Sequence, residues 1–181
     1  MIVGLIGHVH NIEPTLIALN VRGVVYGVQV SLHTSSLLQE GQEVHLYTSL
    51  ISKEGDQSLF GFLELEERTL FVRLIKISGV GPKIALAILS VYTPSEFATL
   101  LETQHTKALQ KVPGVGSKLA SKIMFDLEGY LPSAHQDPAY IQAVQALESL
   151  GFKSLEVQKV CADLKGLSTE EMIKEALQKL R

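Results

Sequence analysis

Two five-residue stretches carry the chemistry legible in this chain: Gly79-Val80-Gly81-Pro82-Lys83 and Gly114-Val115-Gly116-Ser117-Lys118. Each combines two glycines with a lysine two residues after the second. Glycine reaches φ > 0 without a Cβ penalty and leaves the backbone open to close approach. If a helix follows, its first amides have no intrahelical acceptor and lie at the positive end of the helix dipole. Such a terminus suits a phosphate, and Lys83 and Lys118 add a full charge beside it. Backbone amides plus a lysine recognise phosphate and not base sequence. A Gly-x-Gly between helices is also an ordinary helix stop, so one copy alone carries little. Two copies imply a repeated structural unit.

The flanking pattern supplies the helices. Leu70, Phe71, Leu74 and Ile75 precede the first turn at helical spacing, and Ile84 to Leu89 follow it as an apolar run. Leu109 and Val112 precede the second turn, with Leu119, Ala120, Ile123, Met124 and Leu127 after it. Each copy reads helix, turn, helix, with Pro82 at the first helical position. Between Thr103 and Phe125 there is no acid, but Lys107, Lys111, Lys118 and Lys122 are present. Arg73 and Lys76 occupy a similarly acid-free stretch between Arg68 and Lys83.

The whole chain has 181 residues, 46% of them apolar, and a net charge of -3. This material suffices for one to three small domains. The net charge argues weakly against nucleic acid, so a binding face must be local. No apolar run approaches the roughly 18 residues of a membrane span, and no signal peptide is read at Met1–Gly7. A single cysteine, Cys161, excludes an internal disulfide, fits a reducing cytosol and reads as a small core side chain.

Before residue 63 the chain reads as β. Ile2–Val9, Leu16–Leu19, Val21–Leu32, Val44–Ile51 and Ser58–Leu63 are strand-like. Turn signals fall at His10-Asn11, Glu13-Pro14, Arg22-Gly23, Glu40-Gly41 and Glu54-Gly55-Asp56. Five short strands suggest an OB-like barrel. The fold class expected is multidomain α+β: an OB-like β-barrel at 1–63, an all-α tandem helix-hairpin-helix domain at 64–129, a flexible linker at 130–138, and a three-helix unit at 139–181. In the middle region Thr93-Pro94-Ser95-Glu96 forms a capping box. In the last, Ile141, Val144, Leu147 and Leu150 share a face, Gly151 stops that helix, Leu155–Leu164 is the second helix, and Ser168 to Glu171 caps the third. The near balance of charge there favours protein docking over DNA.

Lys53-Glu54-Gly55-Asp56-Gln57 places two carboxylates, Glu54 and Asp56, at a hairpin tip. This is an ordinary solvated turn or, beside DNA, a charge that repels phosphates. There is no P-loop spacing, no Cys/His metal signature and no marked nucleophile, so no catalytic residue, metal or cofactor is expected. Asp126 and Glu128, the carboxylates a hairpin-type glycosylase or nuclease would use, read as solvated. The alternatives to a DNA-binding scaffold are such a repair enzyme and an adaptor whose turns pack against protein.

The chain resembles the RuvA family of bacterial Holliday-junction-binding subunits along almost its whole length. The resemblance is carried by Glu67-Arg68-Thr69-Leu70-Phe71, Leu74-Ile75-Lys76, Gly79 to Lys83, Ala85 to Ser90, Pro113 to Gly116, Lys118 and Ala120. Ala146-Leu147, Leu150-Gly151-Phe152 and Glu175-Ala176-Leu177 continue it. The resemblance implies an OB-like barrel, a helix-hairpin-helix domain and a mobile, UBA-like C-terminal bundle. It implies a homotetramer, singly or as a pair, holding open a four-way junction DNA in the bacterial cytoplasm during recombination and repair. Its implied protein partners are the hexameric RuvB ATPase, which hydrolyses the ATP, and the RuvC resolvase. By the same resemblance Gly79, Gly81, Lys83, Gly114, Gly116, Ser117 and Lys118 hold phosphates, and Glu54 with Asp56 forms a central acidic pin. Leu147, Leu150, Phe152 and Leu177 match the motor-docking surface. Two departures stand out: Gly55 separates acids that are usually adjacent, and Ser117 replaces a basic residue. The linker also looks short for the family.

Overall fold

The structure is a computed structural model that describes residues 1–53, 55–128, 138–164 and 167–180. Five strands come first: β1 (Gly4–Glu13), β2 (Leu16–Val21), β3 (Val24–Gln29), β4 (Glu43–Lys53) and β5 (Asp56–Phe62), with helix α1 (Leu32–Leu37) between β3 and β4. They close into a barrel in the order β1-β2-β3-β5-β4. All neighbours are antiparallel except β3 and β5, which meet parallel at Gln29 and Phe60. This is the five-stranded OB-like arrangement. Alternation explains its core: Leu5, Val9, Ile17, Leu19, Val28 and Leu46 point inward, while Ile6, His8 and His45 point out.

Two local expectations are corrected, and the turn expected at Arg22-Gly23 is present. His10-Asn11 is not a turn: β1 runs through it, and its register against β2 shifts between Val9 and Asn11. Such a bulge bends the strand, as closing a small barrel requires. The stretch Val21–Leu32 is not one strand. Arg22 and Gly23, at φ 51 and 92, form the tight turn from β2 to β3. Its C-terminal end, at Leu32, opens α1, which Ser31 caps by accepting the Thr34 N–H.

After the barrel come α2 (Leu65–Leu74), α3 (Pro82–Val91), α4 (Pro94–Glu102), α5 (Thr106–Leu109) and α6 (Ser117–Asp126). Phe71 of α2 packs on Phe60 and Phe62 of β5, with ring centroids 5.0 and 4.9 Å apart. Arg68 Nε donates to the Thr48 carbonyl at 2.7 Å, a second anchor of α2 on the barrel. The expected capping box on α4 is present, with Thr93 and Glu96 bonded reciprocally. Residues Met1–Glu128 form one compact unit and Gly129–Arg181 a second.

The second unit contains α7 (Pro138–Ser149), α8 (Ser154–Ala162) and α9 (Thr169–Lys179) around Tyr140, Ala143, Val144, Leu147, Val157, Cys161, Met172 and Ala176. Burial pushes the Cys161 thiol pKa up, in keeping with a core side chain. Leu150 does not share the buried face expected of it and is 64% exposed. It follows the last residue of α7, where Gly151 at φ 94 reverses the chain. There the Phe152 N–H bonds to the Leu147 carbonyl and the Gly151 N–H to that of Glu148, a Schellman ending. The linker expected at 130–138 lies outside the described residues, apart from Pro138 at the start of α7. No single helix among the described residues is long and apolar enough to cross a membrane.

Candidate nucleic-acid interface

The two hairpins are copies of one structure at a spacing of 35 positions: α3 begins at Pro82 and ends at Val91, α6 begins at Ser117 and ends at Asp126. The approach to each turn is also repeated. The Lys76, Ile77 and Val80 N–H groups bond to Arg73, Leu74 and Ile77 carbonyls; those of Lys111, Val112 and Val115 bond to Ala108, Leu109 and Val112. Val80 and Val115 are buried, so each turn is pinned from below by its central valine.

The glycines of each turn divide the work. Gly79 and Gly114 have φ 97 and 85 and supply the reversal that a side chain would strain. Gly81 and Gly116, at φ −87 and −83, sit in ordinary extended backbone as the N-caps of α3 and α6. A Cβ added at either would meet nothing within 4 Å. Neither backbone conformation nor internal packing therefore requires glycine there. What the missing side chain does is leave the helix terminus open. Neither N-cap has a side-chain acceptor, unlike Ser31, Thr93 and Ser168 elsewhere in the chain. The helical ladders begin with the Ala85 N–H on the Gly81 carbonyl and the Ala120 N–H on that of Gly116. The amides ahead of these point out of the two helices.

Lys83 and Lys118 stand exposed beside those termini. Lys76, Lys107, Lys111 and Lys122 are exposed as well, and none of the six is in an ion pair among the described residues. Ser117 is exposed at the first position of α6, where the first hairpin has Pro82. The pair of sites can accept anionic oxygens through backbone N–H groups, helix dipoles and lysines together. Asp126 and Glu128 are exposed, and no group of three His, Cys, Asp or Glu residues suited to a metal ion exists among the described residues.

Glu54 lies outside the described residues. Asp56 is exposed and opens β5 opposite Lys53, next to Gly55 at φ 87. Of the four residues matched to a motor-docking surface, Leu150 is exposed and Phe152 and Leu177 are half-buried. Leu147 is fully buried.

Sequence reasoning missed Glu67 as a buried charge. Its carboxyl reaches back to the Glu64 and Leu63 backbone at the start of α2, leaving Oε2 buried with no partner. Burial raises its pKa, against the lowering effect of the backbone bonds and of His33. The capping-box spacing Glu64 to Glu67 was the available signal, obscured because Glu64 is not an N-cap type.

A closed five-stranded barrel, a doubled helix-hairpin-helix and a three-helix unit, in that order, define a modular protein with a paired anion-accepting surface. Three family models match the chain in the same order: RuvA N terminal domain over residues 1–61, SAM-like Helix-hairpin-helix tandem over 71–128, and RuvA, C-terminal domain over 138–181. Full-length relatives each carry the description "Holliday junction branch migration complex subunit RuvA". That of Helicobacter pylori (strain HPAG1) is 54% identical over 182 residues and that of Helicobacter acinonychis 52%, each covering all of both chains. That of Wolinella succinogenes is 47% identical over 187 residues, covering 100% of this chain and 98% of its own. The chain belongs to the RuvA family.

Proposed function

We propose that this protein is the DNA-binding subunit of a Holliday junction branch migration complex, holding a four-way junction through its paired hairpin turns. The observation that carries the reading is the open N-terminus of both α3 and α6, each capped by a glycine with no side-chain cap and open space where a Cβ would stand. Gly79, Gly81, Lys83, Gly114, Gly116, Ser117 and Lys118 hold backbone phosphates. The hold is insensitive to sequence, so selectivity comes from how several copies arrange DNA arms, and a homotetramer, alone or paired, supplies four such surfaces. Asp56, with Glu54 two residues before it in the sequence, repels phosphates at the crossover.

The subunit itself is non-catalytic. ATP hydrolysis resides in the hexameric RuvB motor, which docks on the three-helix unit at 139–181 through Leu150, Phe152 and Leu177. The segment 130–138 links that unit to the barrel (1–63) and hairpins (64–129). RuvC resolvase shares the junction, and the complex works in the bacterial cytoplasm.

The test is a gel-shift titration of an immobile four-way junction against a linear duplex carrying one arm's sequence, with excess competitor duplex. A strong junction preference is expected. Equal affinity for both would reduce the protein to a generic hairpin-type DNA binder. No binding would favour an adaptor whose turns meet protein.

A further inference from the structure

The two hairpins are anchored unequally. The helix leading into the first turn, α2, has ten residues and is fastened to the barrel by Phe71 and Arg68. The helix leading into the second, α5, has four residues. A single turn of helix does not hold itself in water. It also follows a strained residue, Gln104 at φ 51. Something outside α5 must fix the approach to Gly114.

Burial of Ala108, Leu109 and Val112 does part of this, and a directional contact is added from the far end of α3. Tyr92 Oη donates to the Ala108 carbonyl at 2.9 Å. The same carbonyl accepts the Lys111 N–H at 3.1 Å, the first link of the run of bonds into the second turn. Tyr92 is itself held, as the C-cap of α3 with its N–H on the Ile88 carbonyl at 2.9 Å. The next residue, Thr93, caps α4, and α3 and α4 meet at 91°. Two residues earlier, Ser90 Oγ accepts the Leu32 N–H of α1 at 2.9 Å, tying the same end of α3 to the barrel.

We propose that Tyr92 is a positioning residue for DNA binding: its hydroxyl sets the second phosphate-holding turn relative to the first. The inference rests on the reading that both turns hold phosphates. Contacts between the hairpins through Leu119 and Ile84 are apolar and non-directional, and they tolerate small slides. A hydrogen bond is directional and fixes register. The counterpart of Tyr92 in the second hairpin is Leu127, buried and without a hydroxyl, so the tie runs from the first copy to the second only. Two turns on one backbone act as a linked pair, and the second engages at an effective concentration set by how well it is held. Loosening α5 lowers that concentration without removing any group that touches DNA.

The experiment is a mutant cycle with the full chain, using Tyr92→Phe, Lys118→Ala and the double variant. Four-way junction affinity is measured by fluorescence anisotropy, and folding by thermal melting. Tyr92→Phe keeps the ring and loses one neutral hydrogen bond, so about a three- to tenfold loss of affinity is expected. That loss should be smaller in the Lys118→Ala background, because the second turn, left with its backbone amides, profits less from being placed. A merely structural role would cost the same factor in both backgrounds and overturns the proposal, as does unchanged binding by Tyr92→Phe. If Lys118→Ala alone binds like the parent, the phosphate reading of the turn falls first and the inference with it. Amide hydrogen exchange gives a DNA-free check: residues 106–112 should exchange faster in Tyr92→Phe while α3 is unchanged. Unaltered exchange there overturns the tie.

Discussion

A Cβ added to Gly79 would stand 3.3 Å from Cδ1 of Leu119, and one added to Gly114 would stand 3.4 Å from Cγ1 of Ile84. The turn of each hairpin thus faces the first turn of the other's helix. The relation is reciprocal at equivalent positions, as across a two-fold axis. Neither turn can be altered without touching the other copy, and the glycines at φ > 0 are the pivots.

Gly79→Ala and Gly114→Ala should therefore destabilise the N-terminal unit. A non-glycine residue in the left-handed region costs about 1–2 kcal/mol; a methyl at 79 also needs the Leu119 tip to give slightly, whereas one at 114 meets Ile84 at ordinary contact distance. Urea unfolding followed by circular dichroism measures this. A change near zero would mean that the turn relaxes to another conformation.

Gly81→Ser and Gly116→Ser should behave in the opposite way. Serine can cap α3 and α6 as Ser168 caps α9, a gain of a few tenths of a kcal/mol over glycine. The same hydroxyl occupies the amides that a phosphate would use. Stability should be kept or rise slightly while junction affinity falls. A variant that binds DNA as the parent does would separate the helix termini from the interface.

Lys83→Ala and Lys118→Ala should weaken binding equally on unrelated DNA sequences. Each should reduce the slope of log affinity against log salt by about one. Ser117→Lys adds a cation beside an open terminus and should steepen that slope. Equal slopes for Ser117→Lys and the parent would show that position 117 does not face DNA.

Burial raises the Glu67 pKa above its ordinary value, so between the two values the folded chain holds a proton that the unfolded chain has lost. Stability conferred by that residue falls as pH rises through this window. Glu67→Gln should flatten the stability–pH profile from the ordinary glutamate range upward. A profile unchanged in Glu67→Gln would show that this carboxyl does not carry the dependence.

Much of this architecture was legible because it repeats or follows strong local rules. Pro82 at the first position of α3, the Thr93–Glu96 and Ser168–Glu171 boxes and the doubled turn are all local signals, and all appear where spacing put them. The OB-like barrel was legible from alternation, but its details were not. The bulge after Val9 and the helix α1 depend on how the barrel closes, which no short window contains. The division of labour between Gly79 and Gly81 was equally hidden, since both are glycine and only φ distinguishes them. Tyr92 and Ala108 are 16 residues apart, and nothing in either residue type announces the contact.

The three-helix unit offers a separation of core from surface. Leu147 is fully buried among Tyr140, Val157 and Met172, whereas Leu150 is 64% exposed three residues later. Leu147→Ala should cost about 2–5 kcal/mol and unfold a unit this small, abolishing motor binding indirectly. Leu150→Ser removes exposed apolar area at little cost to folding. It should weaken capture of the hexameric ATPase by about tenfold, within the range of a single important interface side chain, and leave junction affinity unchanged. Calorimetry on both variants, with ATPase binding and junction binding measured in parallel, distinguishes the two effects. Should Leu150→Ser bind the motor like the parent, the docking surface lies on another face of the unit, and the half-buried Phe152 and Leu177 would be in doubt with it.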